Sequence, residues 1–211
     1  IDRIKAWAPD YLHIMAGNIA TREGYEALAS WGADSVRCNV GGGSICTTRI
    51  QTGHGVPGLH TILDCAQSQY AGTVLIIADG GIRSAGDATK ALAAGADLVM
   101  VGSLLSGTDE TPGKVIELED GTLRKNFRGM ASKEAQKDWR GKFSSLEGVA
   151  TTVPCRGPVV EILYELEQGI RSGCSYSGVT NLEDLKLKAK FIRQTAAGRQ
   201  ESSAHIFGRY S

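Results

Sequence analysis

Two hydrophobic rhythms alternate along the first half of the chain. Residues 1–8 carry a helical spacing of apolar positions, 12–16 form a short apolar run closed by Gly17-Asn18, and 21–31 return to helical spacing. A short apolar run bounded by turn residues predicts a buried strand; apolar positions three and four apart predict an amphipathic helix. Thr21 stands where a side-chain oxygen caps a helix start, and Gly32 where a helix ends. The cycle continues with strand 35–40, helix 59–70, strand 73–78 (TVLIIA), helix 84–94 before Gly95, and strand 98–101 before Gly102-Ser103. Strands that alternate with helices in this way predict a parallel α/β sheet. The expected fold is a (β/α)8 TIM barrel, of which the four strands of this chain make up half. Such barrels place their chemistry at the C-terminal ends of the strands. Asn18, the loop 41–46, Asp79-Gly80-Gly81 and Gly102-Ser103 all fall at those ends.

After residue 106 the alternation stops. Residues 114–125 (KVIELEDGTLRK) read as a β-hairpin turning at Asp120-Gly121. Residues 128–142 mix glycine and charge before a helix, 159–171 form an amphipathic helix, and 182–193 suggest another. From Thr195 the chain is polar and reads as a mobile tail. The expected organisation is one domain over 1–194, with a hairpin and flap-like insertion at 106–158, and a tail over 195–211. Ile1 is not a start methionine and lies in a helix already under way, which suggests a fragment or a missing upstream part.

Composition narrows the partners. With 211 residues, 42% apolar and 22% charged, the chain is long enough for one sizeable domain. Lys plus Arg and Asp plus Glu number 23 each, so neither nucleic acid nor a membrane is an expected partner. Cys38, Cys46, Cys65, Cys155 and Cys174 are odd in number and lack metal-type spacing, which favours free thiols in a reducing, cytoplasmic compartment. No leader and no bilayer-length apolar run is evident.

The candidate chemistry centres on Gly41-Gly42-Gly43-Ser44-Ile45-Cys46-Thr47-Thr48-Arg49. Glycines allow close approach to a ligand, and successive N–H groups can form an anion nest. A cysteine there, beside hydroxyls, suits a covalent nucleophile. A small buried cysteine after a glycine turn is the other reading of this loop taken alone.

Five ordered motifs now join: GGGSICTTR, IADGG, VMVGSLLSG, FRGMAS, and EGV…VPCRGPV…GIRSGCSY. Together, over residues 4–195, they resemble the inosine-monophosphate dehydrogenase/guanosine-monophosphate reductase family, and correspond to the C-terminal half of its catalytic barrel. The resemblance implies a purine nucleotide, GMP or IMP, at the barrel mouth, a nicotinamide dinucleotide beside it, and a homotetramer that needs the N-terminal half-barrel. It makes Cys46 the nucleophile that attacks C2 of the purine. Ser44, Gly80, Gly81, Gly102 and Ser103 become the 5′-phosphate cradle, and Asp79 the acceptor of ribose hydroxyls. Gly129, Met130 and Ala131 become backbone contacts to the base. Carbonyls of Gly41, Gly43 and Cys46 become a site for a monovalent cation, K+. Asn18, Arg37 and Arg49 match positions near the cofactor. His54 reads as an exposed loop histidine, Cys174 as an inert thiol in a loop, and Cys38, Cys65 and Cys155 as structural.

Two chemistries divide the family. One branch oxidises IMP with NAD and hydrolyses the cysteine adduct, using an Arg-Tyr pair on a mobile flap. The other expels ammonia from GMP and returns hydride from NADPH to give IMP, which needs a proton for the departing amine. Three features favour the reductase: the CTTR…TGHG continuation, a short segment between Met130 and Glu147 without Arg-Tyr, and Phe127 where the dehydrogenase has a tyrosine. Thr48 and Glu147 form the expected deamination relay, although an acid at 147 also occurs in many dehydrogenases. Ile82, Ser103-Leu104-Leu105 and Arg128-Gly129-Met130 look more dehydrogenase-like, and Asn39 and Ala131 depart from the pattern of both. A nucleotide-binding half-barrel without catalysis is the third reading.

Overall fold

The computed structural model describes residues 1–9, 11–142, 144 and 147–204. Four strands, β1 (Met15–Ile19), β2 (Ser35–Cys38), β3 (Leu75–Asp79) and β4 (Leu98–Met100), form a parallel sheet in the order β1-β2-β3-β4. Between them run α1 (Asp2–Lys5) before β1, α2 (Arg22–Ser30), α3 (Thr48–Thr52), α4 (Gly58–Cys65) and α5 (Ala85–Ala93). The registers Gly17↔Arg37, Arg37↔Ile77 and Asp79↔Met100 put alternate residues of all strands on one face. Val36, Cys38, Ile76 and Ala78 take the other face, where they bury against Tyr25, Ile62, Cys65, Ala88 and Ala91 of the helices. Met15 and Leu98, on the Arg37 face, remain 47% and 48% exposed. The sheet is therefore a partial barrel, sealed by helices outside and open within.

Side-chain caps set several helix starts. Thr21 accepts from the Gly24 N–H and Ser84 from the Asp87 N–H. Tyr25 is wholly buried; its hydroxyl donates to the Val74 carbonyl at 2.6 Å, and burial pushes its pKa up. A hydrogen bond with the Cys65 thiol, then burial, pushes the Cys38 thiol up, as befits a core residue.

The second sheet is antiparallel: β5 (Val115–Glu117), β6 (Leu123–Arg128) and β7 (Ala150–Pro154), in the order β5-β6-β7. The hairpin turns at Gly121 (φ +80°), with the Thr122 N–H donating to Asp120. Then α6 (Lys133–Arg140) precedes β7, and α7 (Val159–Tyr176), α8 (Leu182–Lys188) and α9 (Ala196–Glu201) follow it. Gly169 and Gly173 of α7 face α5 so closely that added Cβ atoms would fall 2.2 Å from Ala85 Cβ and 2.5 Å from Thr89 Cγ2.

Several expectations need correction. The first helix covers only Asp2–Lys5, and the first strand is Met15–Ile19 rather than 12–16, so Gly17-Asn18 lies within it. Strands expected over 35–40 and 98–101 stop at Cys38 and Met100. Residues 66–70 leave the helix, and Thr73 and Val74 belong to a turn whose N–H groups return to Tyr70, so β3 starts at Leu75 and includes Asp79. The hairpin gains a third strand, β7, whose pairing partner is distant in sequence. Cys174 lies in α7, not in a loop, and packs with Leu92, Val179 and Leu185. Residues 196–201 are helical with Thr195 as cap rather than a mobile tail; the rest of that tail, 205–211, lies outside the described residues.

Candidate functional site

Strand ends and the second sheet enclose a cavity of about 360 Å³, within the range of small-ligand pockets. Its walls include Ser44, Cys46, Asp79, Gly80, Gly81, Gly102, Ser103, Gly129, Met130, Ala131 and Glu147, so the expected nucleotide residues converge from five segments. Arg37, Phe127 and Arg128 also line it. A larger cavity of about 850 Å³ adjoins it and shares Gly102, Phe127, Arg128 and Met130.

The cysteine loop is held against the segment that follows α6. The Thr47 N–H donates to the Glu147 carbonyl (2.9 Å) and the Val149 N–H to the Ile45 carbonyl (3.1 Å), bridging Cys46 to Gly148. This pairing delivers Glu147 to Thr48. The Cys46 thiol lies 3.2 Å from Thr48 Oγ1, which donates to Glu147 Oε2 at 2.8 Å. Thiol, hydroxyl and carboxylate form one hydrogen-bonded line across which a proton can pass.

Asp79 is oriented by three donors on one oxygen. Asn18 Nδ2 at 2.7 Å, Arg37 Nε at 3.1 Å and Arg37 Nη2 at 2.8 Å all reach Oδ2. Among the described residues no protein donor reaches Oδ1, which leaves an acceptor for ligand hydroxyls.

Of the residues expected near the cofactor, Asn18 divides its amide donors between Asp79 and the Asn39 carbonyl. Arg37 donates from Nε and Nη2 to Asp79 and lines the cavity. The Arg49 guanidinium donates to the Val40 and Val56 carbonyls and to Asn39 Oδ1. Of the cation candidates, the Gly43 carbonyl accepts the Cys46 N–H at 3.1 Å, which uses one of its two lone pairs; backbone oxygens suit K+. Among the described residues no cluster of three His, Cys, Asp or Glu could hold a metal, and no helix is long and apolar enough to cross a membrane. His54 is exposed, its ring nitrogen bonded to the Thr52 carbonyl.

Two residues were given no role by the sequence. Asn39, noted there only as a departure from the family pattern, is buried among the glycines as a hub of hydrogen bonds. Lys125 is 5% exposed and donates to the carbonyls of Thr108, Asp109 and Thr111. It pins the loop that begins at Gly102-Ser103 to the second sheet, and nothing in its sequence context distinguishes it from a surface lysine.

A family model described as the IMP dehydrogenase / GMP reductase domain matches residues 1–205. The chain is 45% identical to a GMP reductase of Leishmania major, over 97% of the chain and 44% of that protein. It is equally 45% identical to an inosine-5'-monophosphate dehydrogenase of Aquifex aeolicus, over 97% of the chain and 43% of the relative. A solved structure of a cysteine-to-alanine variant of GMP reductase from Trypanosoma brucei, in complex with guanosine 5'-monophosphate, superposes with a TM-score of 0.91 at 43% identity. That match covers 97% of this chain and 43% of that one. The chain thus spans less than half the length of these relatives.

Proposed function

The chain belongs to the IMP dehydrogenase/GMP reductase family, and on that premise we propose that the complete protein is a GMP reductase. It converts GMP to IMP and ammonia through a covalent adduct on Cys46. The observation that carries this reading is the line Cys46 Sγ–Thr48 Oγ1–Glu147 Oε2, at 3.2 Å and 2.8 Å. A guanine amine leaves poorly as an anion. A hydroxyl beside the nucleophile, backed by a carboxyl group, supplies the proton that lets it leave as ammonia. The Cys46 sulfur adds to C2 of the purine, the C2–N bond breaks with the proton passed along Thr48, and Glu147 replenishes it.

The remaining residues bind and orient. Ser44 and the glycine loops at Gly80-Gly81 and Gly102-Ser103 offer donors to the 5′-phosphate. Asp79 accepts the ribose hydroxyls, and Gly129, Met130 and Ala131 meet the base. NADPH would supply the hydride that restores hydrogen at C2 and releases sulfur, with Asn18, Arg37 and Arg49 the residues of this chain placed near it. The same reading includes K+ on the carbonyls of Gly41, Gly43 and Cys46, a homotetramer, a cytoplasmic setting, and the rest of the barrel contributed by the complete protein.

A second reading, IMP dehydrogenase with NAD, draws on the equal identity to the dehydrogenase of Aquifex aeolicus. Product analysis of the complete protein separates the two. GMP with NADPH should yield IMP and ammonia; rapid XMP formation from IMP and NAD would overturn the reductase assignment.

A further inference from the structure

Asn39 stands at φ +128°, the only non-glycine residue at positive φ among the described residues. Asparagine visits the left-handed region near +60°, but a value this far beyond it is a glycine position, and a side chain held there strains the backbone. Such strain persists only where surrounding contacts over-determine it. Those contacts are present. The residue is 4% exposed and every polar group is engaged. Its N–H donates to the Ile19 carbonyl at 2.8 Å, and its carbonyl accepts from Asn18 Nδ2 at 2.9 Å. Its Nδ2 donates to the main-chain carbonyl of Asp79 at 2.9 Å, and its Oδ1 accepts from Arg49 Nη2 at 3.1 Å. The ends of β1, β2 and β3 therefore meet at one residue, the first through its main chain and the last through its side chain.

Glycines make room for this side chain and for its partner. A Cβ at Gly42 would fall 1.9 Å from Asn39 Nδ2, and one at Gly58 2.8 Å from it. A Cβ at Gly41 would fall 2.4 Å from Arg49 Cγ, and one at Gly55 2.7 Å. Arg49 carries the tie onward to the Val40 and Val56 carbonyls at both ends of the loop. It sits in α3, whose first residue, Thr48, meets the Cys46 thiol.

We propose that Asn39 is a positioning residue that couples the nucleotide-binding strand end at Asp79 to the nucleophile loop, through Arg49. The inference rests on the reading of Cys46 as nucleophile and Asp79 as ribose acceptor. It explains why a strained asparagine occupies a site whose backbone favours glycine: the amide links two catalytic segments that glycine would leave separate.

Asn39→Gly is the discriminating variant, because it relieves the backbone while removing the link. The complete protein carrying it should stay folded, with kcat lowered about tenfold or more, and with KM for GMP within about threefold because Asn18 and Arg37 still hold Asp79. Alkylation of Cys46 by iodoacetamide, followed by peptide mass spectrometry, should accelerate at least about threefold as the loop loosens. Arg49→Met should reproduce the kcat loss, and the double variant should be no slower than the slower single, since one link is cut twice. Unchanged kcat and alkylation in a folded Asn39→Gly protein, or fully additive losses, would overturn the proposal. If glycine unfolds the chain, Asn39→Asp retains the acceptor for Arg49, loses the donor to Asp79, and serves the same readouts. If the wild-type protein turns over neither GMP nor IMP, the functional reading fails, and alkylation alone decides this proposal: faster labelling supports it and equal labelling refutes it.

Discussion

At the residue scale, Asp79 uses one of its two oxygens within the protein: Oδ2 takes the three donors from Asn18 and Arg37, and among the described residues no donor reaches Oδ1. Asp79→Ala should weaken GMP binding by about 1.5–3 kcal/mol, the range for a hydrogen bond to a charged group; isothermal calorimetry showing unchanged affinity would count against the role. Cys46→Ala should abolish turnover while leaving nucleotide binding intact, because phosphate and ribose contacts do not pass through sulfur. Glu147→Gln keeps the shape but loses the acid, so ammonia release in a rapid-quench experiment should slow more than hydride transfer. Equal slowing of both steps would argue that Glu147 only braces the loop. These residues were nameable from motifs, and so was the pairing of Thr48 with Glu147. The hold of Asn18 and Arg37 on Asp79 was not.

At the element scale, two ties decide where the loops stand. Lys125 buries its ammonium against three carbonyls of the loop 108–111. Lys125→Met removes the donor and leaves those carbonyls short of a partner, at a cost of about 2–4 kcal/mol in stability; urea unfolding with an unchanged m-value would measure it. At the opposite end of the sheet, Lys5 of α1 bonds the Asp34 carboxylate at 2.7 Å and 2.9 Å, and the Ile14 N–H donates to it at 2.6 Å. The lysine bond first, then the backbone N–H, hold the Asp34 pKa below the usual carboxylate value. A folded pKa below the unfolded one gives stability that is fully present above the unfolded pKa and lost as pH falls through the folded one. The difference in melting temperature between wild type and Asp34→Asn should therefore be full above the ordinary carboxylate range and shrink steadily as the pH falls below it. Elements with a local signature, such as α2 with its Thr21 cap, were legible beforehand. β7 was not, because its five residues become a strand only by pairing with β6, from Arg128↔Ala150 to Arg124↔Pro154.

At the scale of the whole molecule, a half-sheet presents its site on one rim, where the ends of β1 to β4 meet the second sheet. The same rim brings Glu147 from the segment after α6 onto Thr48, 99 positions away in the chain. The assay of the complete protein belongs at this scale. GMP with NADPH should give IMP and ammonia, with only slow oxidation of IMP, because the short segment between Met130 and Glu147 carries no Arg-Tyr pair to activate water.

The periodicity of apolar residues by itself determined the parallel α/β plan, since burial on one face of a helix or strand is a local demand that the chain writes at 3.6 or 2 residues. The motifs likewise singled out the loops that come to line the cavity. The tertiary structure decided which polar atoms face each other. Whether Arg37 reaches Asp79, whether Lys125 is solvated or buried, and why Asn39 sits where glycine would be easier all depend on groups brought together from distant positions. Hydrogen bonds between such groups leave no period in the sequence, because each is specified by three-dimensional proximity alone.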